Sequence, residues 1–151
     1  MNQHRPQGDT VLIEISERVA TLTLNRPQQY NALSRELRNE FTRALIELNA
    51  DDDVDVIIVA AVNGLAVTGG FELAAQCDIL VASSNARFAD THCRVGVVSA
   101  WGFTQTLTAL IGPVRARYLS FTGNFIDAHM AKEWGLVLEV LPPDELMPYC
   151  R

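Results

Sequence analysis

An α/β fold is predicted by three features of this 151-residue chain. Short apolar runs alternate with segments whose apolar residues recur at helical spacing. Gly and Pro stand at the junctions between them. Hydrophobic residues make up 48% and charged residues 20%, the balance of a globular protein rather than a disordered one. The length suits one domain, read as a polar tail over residues 1–10 and a single core over residues 11–151.

Val11, Ile13 and Ile15 alternate with polar residues, Glu17-Arg18 marks a turn, and Ala20, Leu22 and Leu24 alternate again. This predicts a β-hairpin with one buried face. Pro27 stops the second strand and Asn31 favours turns, so Asn25 to Leu33 reads as a loop. Ser34 can cap the helix that follows, on which Leu37, Phe41, Ala44, Leu45 and Leu48 share a face. Asp51-Asp52-Asp53 is a solvated turn and lacks the pattern of a calcium loop.

The run from Val54 to Val62, apolar apart from Asp55, exceeds the usual strand of about five or six residues. It fits one long buried strand, or two strands joined end to end with their connection missing. Periodicity does not separate the two. Beyond it, Ile79 to Ala82 and Ala86 to Ala89 read as strands, and Asp90 to Ala100 as irregular chain. Gly102 to Leu110 reads as a helix, and Pro113 opens another that runs through Phe121. Asp127 caps a helix over Ala128 to Trp134, Gly135 ends it, and Leu136 to Leu141 returns as a strand.

Several functions are excluded or made remote by composition. The formal charge of -6 carries no basic stripe, which argues against a nucleic-acid surface. No apolar stretch is long enough to span a bilayer, and Met1 to Asp9 lacks the apolar core of a signal peptide, so a cytoplasmic location is expected. Cys77, Cys93 and Cys150 are odd in number and widely spaced, which suits reduced thiols and no metal site.

The segment Thr68-Gly69-Gly70-Phe71-Glu72-Leu73-Ala74 concentrates the chemistry. A glycine turn that opens a helix leaves N–H groups without internal partners at the positive end of the helix dipole. Glu72 stands in that first turn. Carboxylate and donors together suit proton transfer beside a developing oxyanion. A plain Gly-Gly turn at the start of a buried helix has the same spacing.

The motifs Asn25-Arg26-Pro27, Asn31-Ala32-Leu33, Ala61-Val62-Asn63-Gly64 and Gly69-Gly70-Phe71-Glu72-Leu73-Ala74 resemble, in order, those of the enoyl-CoA hydratase/isomerase (crotonase) family. Cys77-Asp78-Ile79, Ala86-Arg87-Phe88, Trp101-Gly102, Phe121-Thr122-Gly123 and Trp134-Gly135-Leu136-Val137 continue the resemblance, and Pro142, Glu145 and Leu146 close it. It implies a crotonase-like spiral of ββα units, an acyl-CoA thioester as substrate with no separate cofactor, and a homo-oligomer or association with family relatives. It also implies that Gly69 donates one of two N–H groups to the thioester oxygen, and that Glu72 is the acid/base carboxylate. Tyr30, Ala32 and Gly70 match substrate-binding positions, and His92 falls where hydratases carry a second glutamate.

The chain departs from the family pattern in three places. A long segment between two strands, which in the family carries the second oxyanion N–H, has no counterpart where Val56–Val59 runs into Ala60–Asn63. His92 replaces the second glutamate. The family's C-terminal helices would follow Arg151. The resemblance therefore implies hydration of a 2-enoyl-CoA as the ancestral reaction of a shortened member. A non-catalytic subunit and a double-bond isomerase are the alternatives, the latter needing one base and no activated water.

Overall fold

The computed structural model describes residues 3–5, 10–26, 29, 31–55 and 59–150. The chain divides into two compact units, Met1–Ile57 and Ile58–Arg151.

The first unit is built on an antiparallel sheet of β1 (Gln3–Arg5), β2 (Val11–Ser16) and β3 (Val19–Leu24). β1 comes from the stretch read as a polar tail and pairs Gln3 with Ile15. The β2–β3 register, with Ser16 opposite Val19, leaves Glu17 and Arg18 as a two-residue turn. Both have positive φ, 51° and 68°. That conformation matches the twist of the flanking strands but favours Gly or Asn. Arg18 holds it in place through its side chain, which donates to Asp55 at 3.1 and 2.9 Å and to the Asp52 carbonyl at 3.1 Å.

Helix α1 (Arg35–Asn49) packs on this sheet. Ser34 caps it, accepting from the Leu37 N–H at 3.1 Å. Its buried face of Leu37, Ala44 and Leu48 meets Val11 and Ile13, the face that helical spacing predicts. Glu40 Oε2 accepts from the Thr10 hydroxyl at 2.5 Å and from the Thr10 and Val11 N–H groups at 3.1 and 3.2 Å. These bonds, the hydroxyl foremost, hold its carboxyl below the usual carboxylate range.

In the second unit, successive strand pairs feed two sheets. β4 (Val59–Val62), β6 (Ile79–Ser83) and β9 (Val140–Leu141) form a parallel sheet in the order β4-β6-β9. β5 (Leu65–Val67), β7 (Arg87–Ala89) and β8 (Ile126–Asp127) form another, with β7 central. The chain therefore passes from one sheet to the other at Asn63-Gly64 and again between Ser83 and Arg87, as the ββα reading expects. Helices α2 (Gly69–Ala75), α3 (Phe103–Ile111), α4 (Pro113–Thr122), α5 (Ala128–Glu133) and α6 (Leu146–Tyr149) complete the unit.

Its core is aromatic and alanine-rich: Phe71, Phe88 and Phe103 are wholly buried beside Ala82, Ala86, Ala128 and Ala131. The Phe71 ring lies 4.9 Å from Phe103 and 5.5 Å from Phe88, distances at which tilted aromatic pairs attract.

Some expectations change. Only Val140–Leu141 of the strand expected over Leu136 to Leu141 forms. The Leu136 and Val137 N–H groups bond to the Ala131 carbonyl and close helix α5, so they are withdrawn from a ladder. The elements β5, β8 and α6 are too short to leave a periodic signal. Of the long apolar run, Val59–Val62 is strand, Val54 and Asp55 are loop, and residues 56–58 lie outside the described residues. Among the described residues, no helix is long and apolar enough to cross a membrane.

Candidate active site

Strand pairing assembles the site. β5 and β7 are parallel with Val67 opposite Ala89, so the glycine turn and the segment Asp90 to His92 leave the sheet side by side. Open α/β sheets place ligands at this carboxyl end. The Thr68 N–H donates to the Ala89 carbonyl at 3.1 Å, and the Thr68 and Thr91 hydroxyls bond to each other.

Thr68 has φ 51° and ψ -121°, a conformation unfavourable for a residue with a Cβ. Its carbonyl accepts the N–H groups of Phe71 and Glu72, so the N–H groups of Gly69 and Gly70 precede the first bonds of α2. A Cβ placed on Gly70 would meet nothing within 4 Å, so open space adjoins the turn.

Glu72, 3% exposed, has its Oε1 fixed by the Ala100 N–H at 3.2 Å. The same oxygen lies 3.7 Å from His92 Nε2. A gap of that size is one a shared water can bridge. His92 is 8% exposed and sits in a single 3-10 turn, His92–Arg94, with its ring 6.4 Å from that of Phe103. Its other nitrogen, Nδ1, lies 2.6 Å from Asp90 Oδ1, and Ser120 Oγ donates to Asp90 Oδ2 at 2.6 Å.

Beyond His92, Arg94 reaches the end of α4, donating to the Thr122 carbonyl at 3.3 Å and to Asn124 Oδ1 at 3.1 Å. Gly123, with φ 62°, lies so close that a Cβ there would come within 2.6 Å of Arg94 Nε.

The structure thus brings together Gly69, Gly70, Glu72 and His92 from the residues expected of the site. Ala32 is an exposed loop residue of the first unit, its carbonyl accepting from Arg26 Nη1. Tyr30 lies outside the described residues. Sequence reasoning missed Ala100, because a backbone N–H leaves no mark in residue identity. It also missed Ser120, although a hydroxyl in line with Ala116, Leu119 and Gly123 on the inward side of α4 is a readable signal.

Burial, with the Asp78 charge secondary, pushes Cys77 up to about 11, which keeps it from being a nucleophile at neutral pH. No group of three or more His, Cys, Asp or Glu able to hold a metal occurs among the described residues.

Comparison with known proteins gives the family and the fold. The family model for enoyl-CoA hydratase/isomerase matches residues 14–60 and 52–151, two pieces that overlap on the long apolar run. A probable enoyl-CoA hydratase of Mycobacterium bovis is 34% identical over 187 aligned positions, covering 95% of this chain and 73% of the relative. That alignment is longer than the chain's 151 residues, so part of the relative has no counterpart here. A short-chain-enoyl-CoA hydratase of Clostridium acetobutylicum is 31% identical, with 92% of this chain and 71% of that protein covered.

Among solved structures, an enoyl-CoA hydratase of Mycobacterium tuberculosis H37Rv superposes with a TM-score of 0.89 at 42% identity, covering 95% of this chain and 78% of that one. Ordered motifs, strand topology and two-part family match lead to one conclusion: the chain belongs to the enoyl-CoA hydratase/isomerase family, as a member shortened within the run that joins its two units.

Proposed function

We propose that this chain binds an acyl-CoA thioester and adds water across the double bond of a 2-enoyl-CoA, with Glu72 and His92 as the proton-transfer pair. The observation that carries the reading is the buried placement of both groups, 3.7 Å apart, beside the open glycine turn. Two groups facing one point suit an activated water, whereas isomerisation needs a single base.

The Gly69 N–H would hold the thioester oxygen as negative charge develops on it. Glu72 would take a proton from water as its oxygen bonds to C3, and the pair would return a proton to C2 as the enolate collapses. Coenzyme A belongs to the substrate, and no separate cofactor enters. The relative named as a short-chain-enoyl-CoA hydratase supports short 2-enoyl chains as the first substrates to try. With one oxyanion donor in place of two, turnover is expected to fall roughly a hundred- to a thousandfold below that of a complete hole.

Loss of the enoyl-thioester absorbance of crotonyl-CoA tests this directly. The wild-type protein is expected to consume it, and Glu72→Gln to do so about 10²- to 10⁴-fold more slowly. Wild-type protein that leaves crotonyl-CoA untouched removes the hydratase reading in favour of a non-catalytic subunit. Conversion of a 3-enoyl-CoA alone would move it to isomerisation.

We also infer self-association or assembly with longer relatives. The family resemblance supports this reading, and Val98, Phe121 and Val114, 82%, 77% and 76% exposed, offer apolar side chains to such a contact. Light scattering that shows a clean monomer, with and without a family relative, would remove that inference.

A further inference from the structure

We propose that Asp90 and Ser120 are positioning residues that fix the tautomer of His92, placing the proton on Nδ1 and turning Nε2 toward Glu72 as a proton acceptor. The proposal rests on the reading of Glu72 and His92 as the proton-transfer pair and extends it two residues into the interior.

Asp90 is 2% exposed, so its carboxylate needs partners within the protein. Both oxygens have them. Oδ1 lies 2.6 Å from His92 Nδ1 and accepts from the His92 N–H at 3.4 Å, while Oδ2 accepts from Ser120 Oγ at 2.6 Å. An ionised carboxylate only accepts hydrogen bonds, so the ring nitrogen facing it must carry the proton. The free lone pair of the neutral imidazole then lies on Nε2, 3.7 Å from Glu72 Oε1.

In the opposite tautomer, Nε2 would present a hydrogen to the reacting centre and could not receive a proton. Once Nε2 takes a proton, the imidazolium lies between Asp90 and Glu72, the two carboxylates that face it. Ser120 acts one step further away. Its hydroxyl holds Oδ2 and leaves Oδ1 to the ring. The four side chains come from α2, the segment after β7, and α4: bonds run from Ser120 through Asp90 to His92, and His92 Nε2 then faces Glu72 Oε1 across 3.7 Å.

The test is nitrogen-15 NMR of the imidazole ring in the full chain without substrate, with the His92 signals identified by their loss in His92→Gln. Wild type is expected to show the proton on Nδ1. In Asp90→Asn, the Ser120 hydroxyl keeps the amide oxygen and turns the NH₂ group toward the ring, so the proton should move to Nε2. Turnover of crotonyl-CoA should then fall about 10²-fold or more with KM little changed. Ser120→Ala should lower kcat roughly tenfold, by loosening the positioning of a general acid/base, and Ser120→Thr should recover it.

An unchanged Nδ1–H tautomer in Asp90→Asn overturns the proposal. So does a Ser120→Ala protein with wild-type kcat and ring spectrum, the measurement that decides if Asp90→Asn does not fold. The tautomer is read without turnover. A correct tautomer switch in a protein inert toward crotonyl-CoA sinks the hydratase reading alone, and an active enzyme with no switch sinks the positioning proposal alone.

Discussion

The two units fill their interiors with different chemistry. In the first, Val11, Ile13, Leu37, Ala44 and Leu48 form an apolar layer between one sheet and one helix, and the buried Thr10 is satisfied by Glu40 at its edge. In the second, Glu72, Asp90 and His92 lie among wholly buried phenylalanines. An apolar layer adds stability in proportion to its area, about 25 cal/mol per Å². Buried ionisable groups repay their desolvation only when every member is bonded, and replacing them by apolar groups is often neutral or stabilising. The contrast separates packing from function: the first unit's interior is apolar but for Thr10 at its edge, and the second adds to an aromatic core a polar line that packing alone would not select.

The largest expected effect that tests this contrast is at Leu37, wholly buried on α1. Leu37→Ala should cost about 2–5 kcal/mol, read as a lower urea midpoint and faster amide exchange in β2 and β3. Glu72→Gln should leave those readings near wild type while turnover drops. If Glu72→Gln destabilised the fold as much as Leu37→Ala, the separation would be wrong.

A smaller effect is expected at Thr68, where backbone strain sits within the glycine turn. Gly and Ala both lose the hydroxyl bond to Thr91, so comparing them isolates the conformation. Thr68→Gly should be about 1 kcal/mol more stable than Thr68→Ala, the reverse of the order inside a helix. Equal thermal midpoints would show that the turn relaxes without strain.

The smallest effect belongs to Glu40. Its folded pKa is lowered, so its stabilising contribution is complete above the unfolded value and disappears as pH falls through the folded one. Glu40→Gln should therefore be less stable than wild type at neutral pH and converge with it in acid. A gap that persists at low pH would mean that shape, not charge, is what Thr10 and Val11 recognise.

Much of the architecture can be read from residue pattern because its signals are local. Alternation from Val11 to Leu24, the Ser34 cap, the Asp127 cap that accepts from Met130, and the Gly112-Pro113 junction each act within a few residues. The site is readable only where a residue type names its chemistry, as at Gly69, Glu72 and His92. What completes it is non-local. The Ala100 N–H reaches Glu72 across 28 positions, and Ser120 reaches Asp90 across 30. Short strands such as β5 and β8 form because neighbours offer an edge, a cause that lies outside their own sequence.

The closeness of Arg94 to Gly123 couples two positions that lie far apart in sequence. Any side chain at 123 meets two penalties, a left-handed backbone and the stem of Arg94. Removing Arg94 first lifts one of them; changing Gly123 first incurs both. Substitutions at these two positions are therefore expected to be non-additive, a side chain at 123 costing less once Arg94 has been shortened.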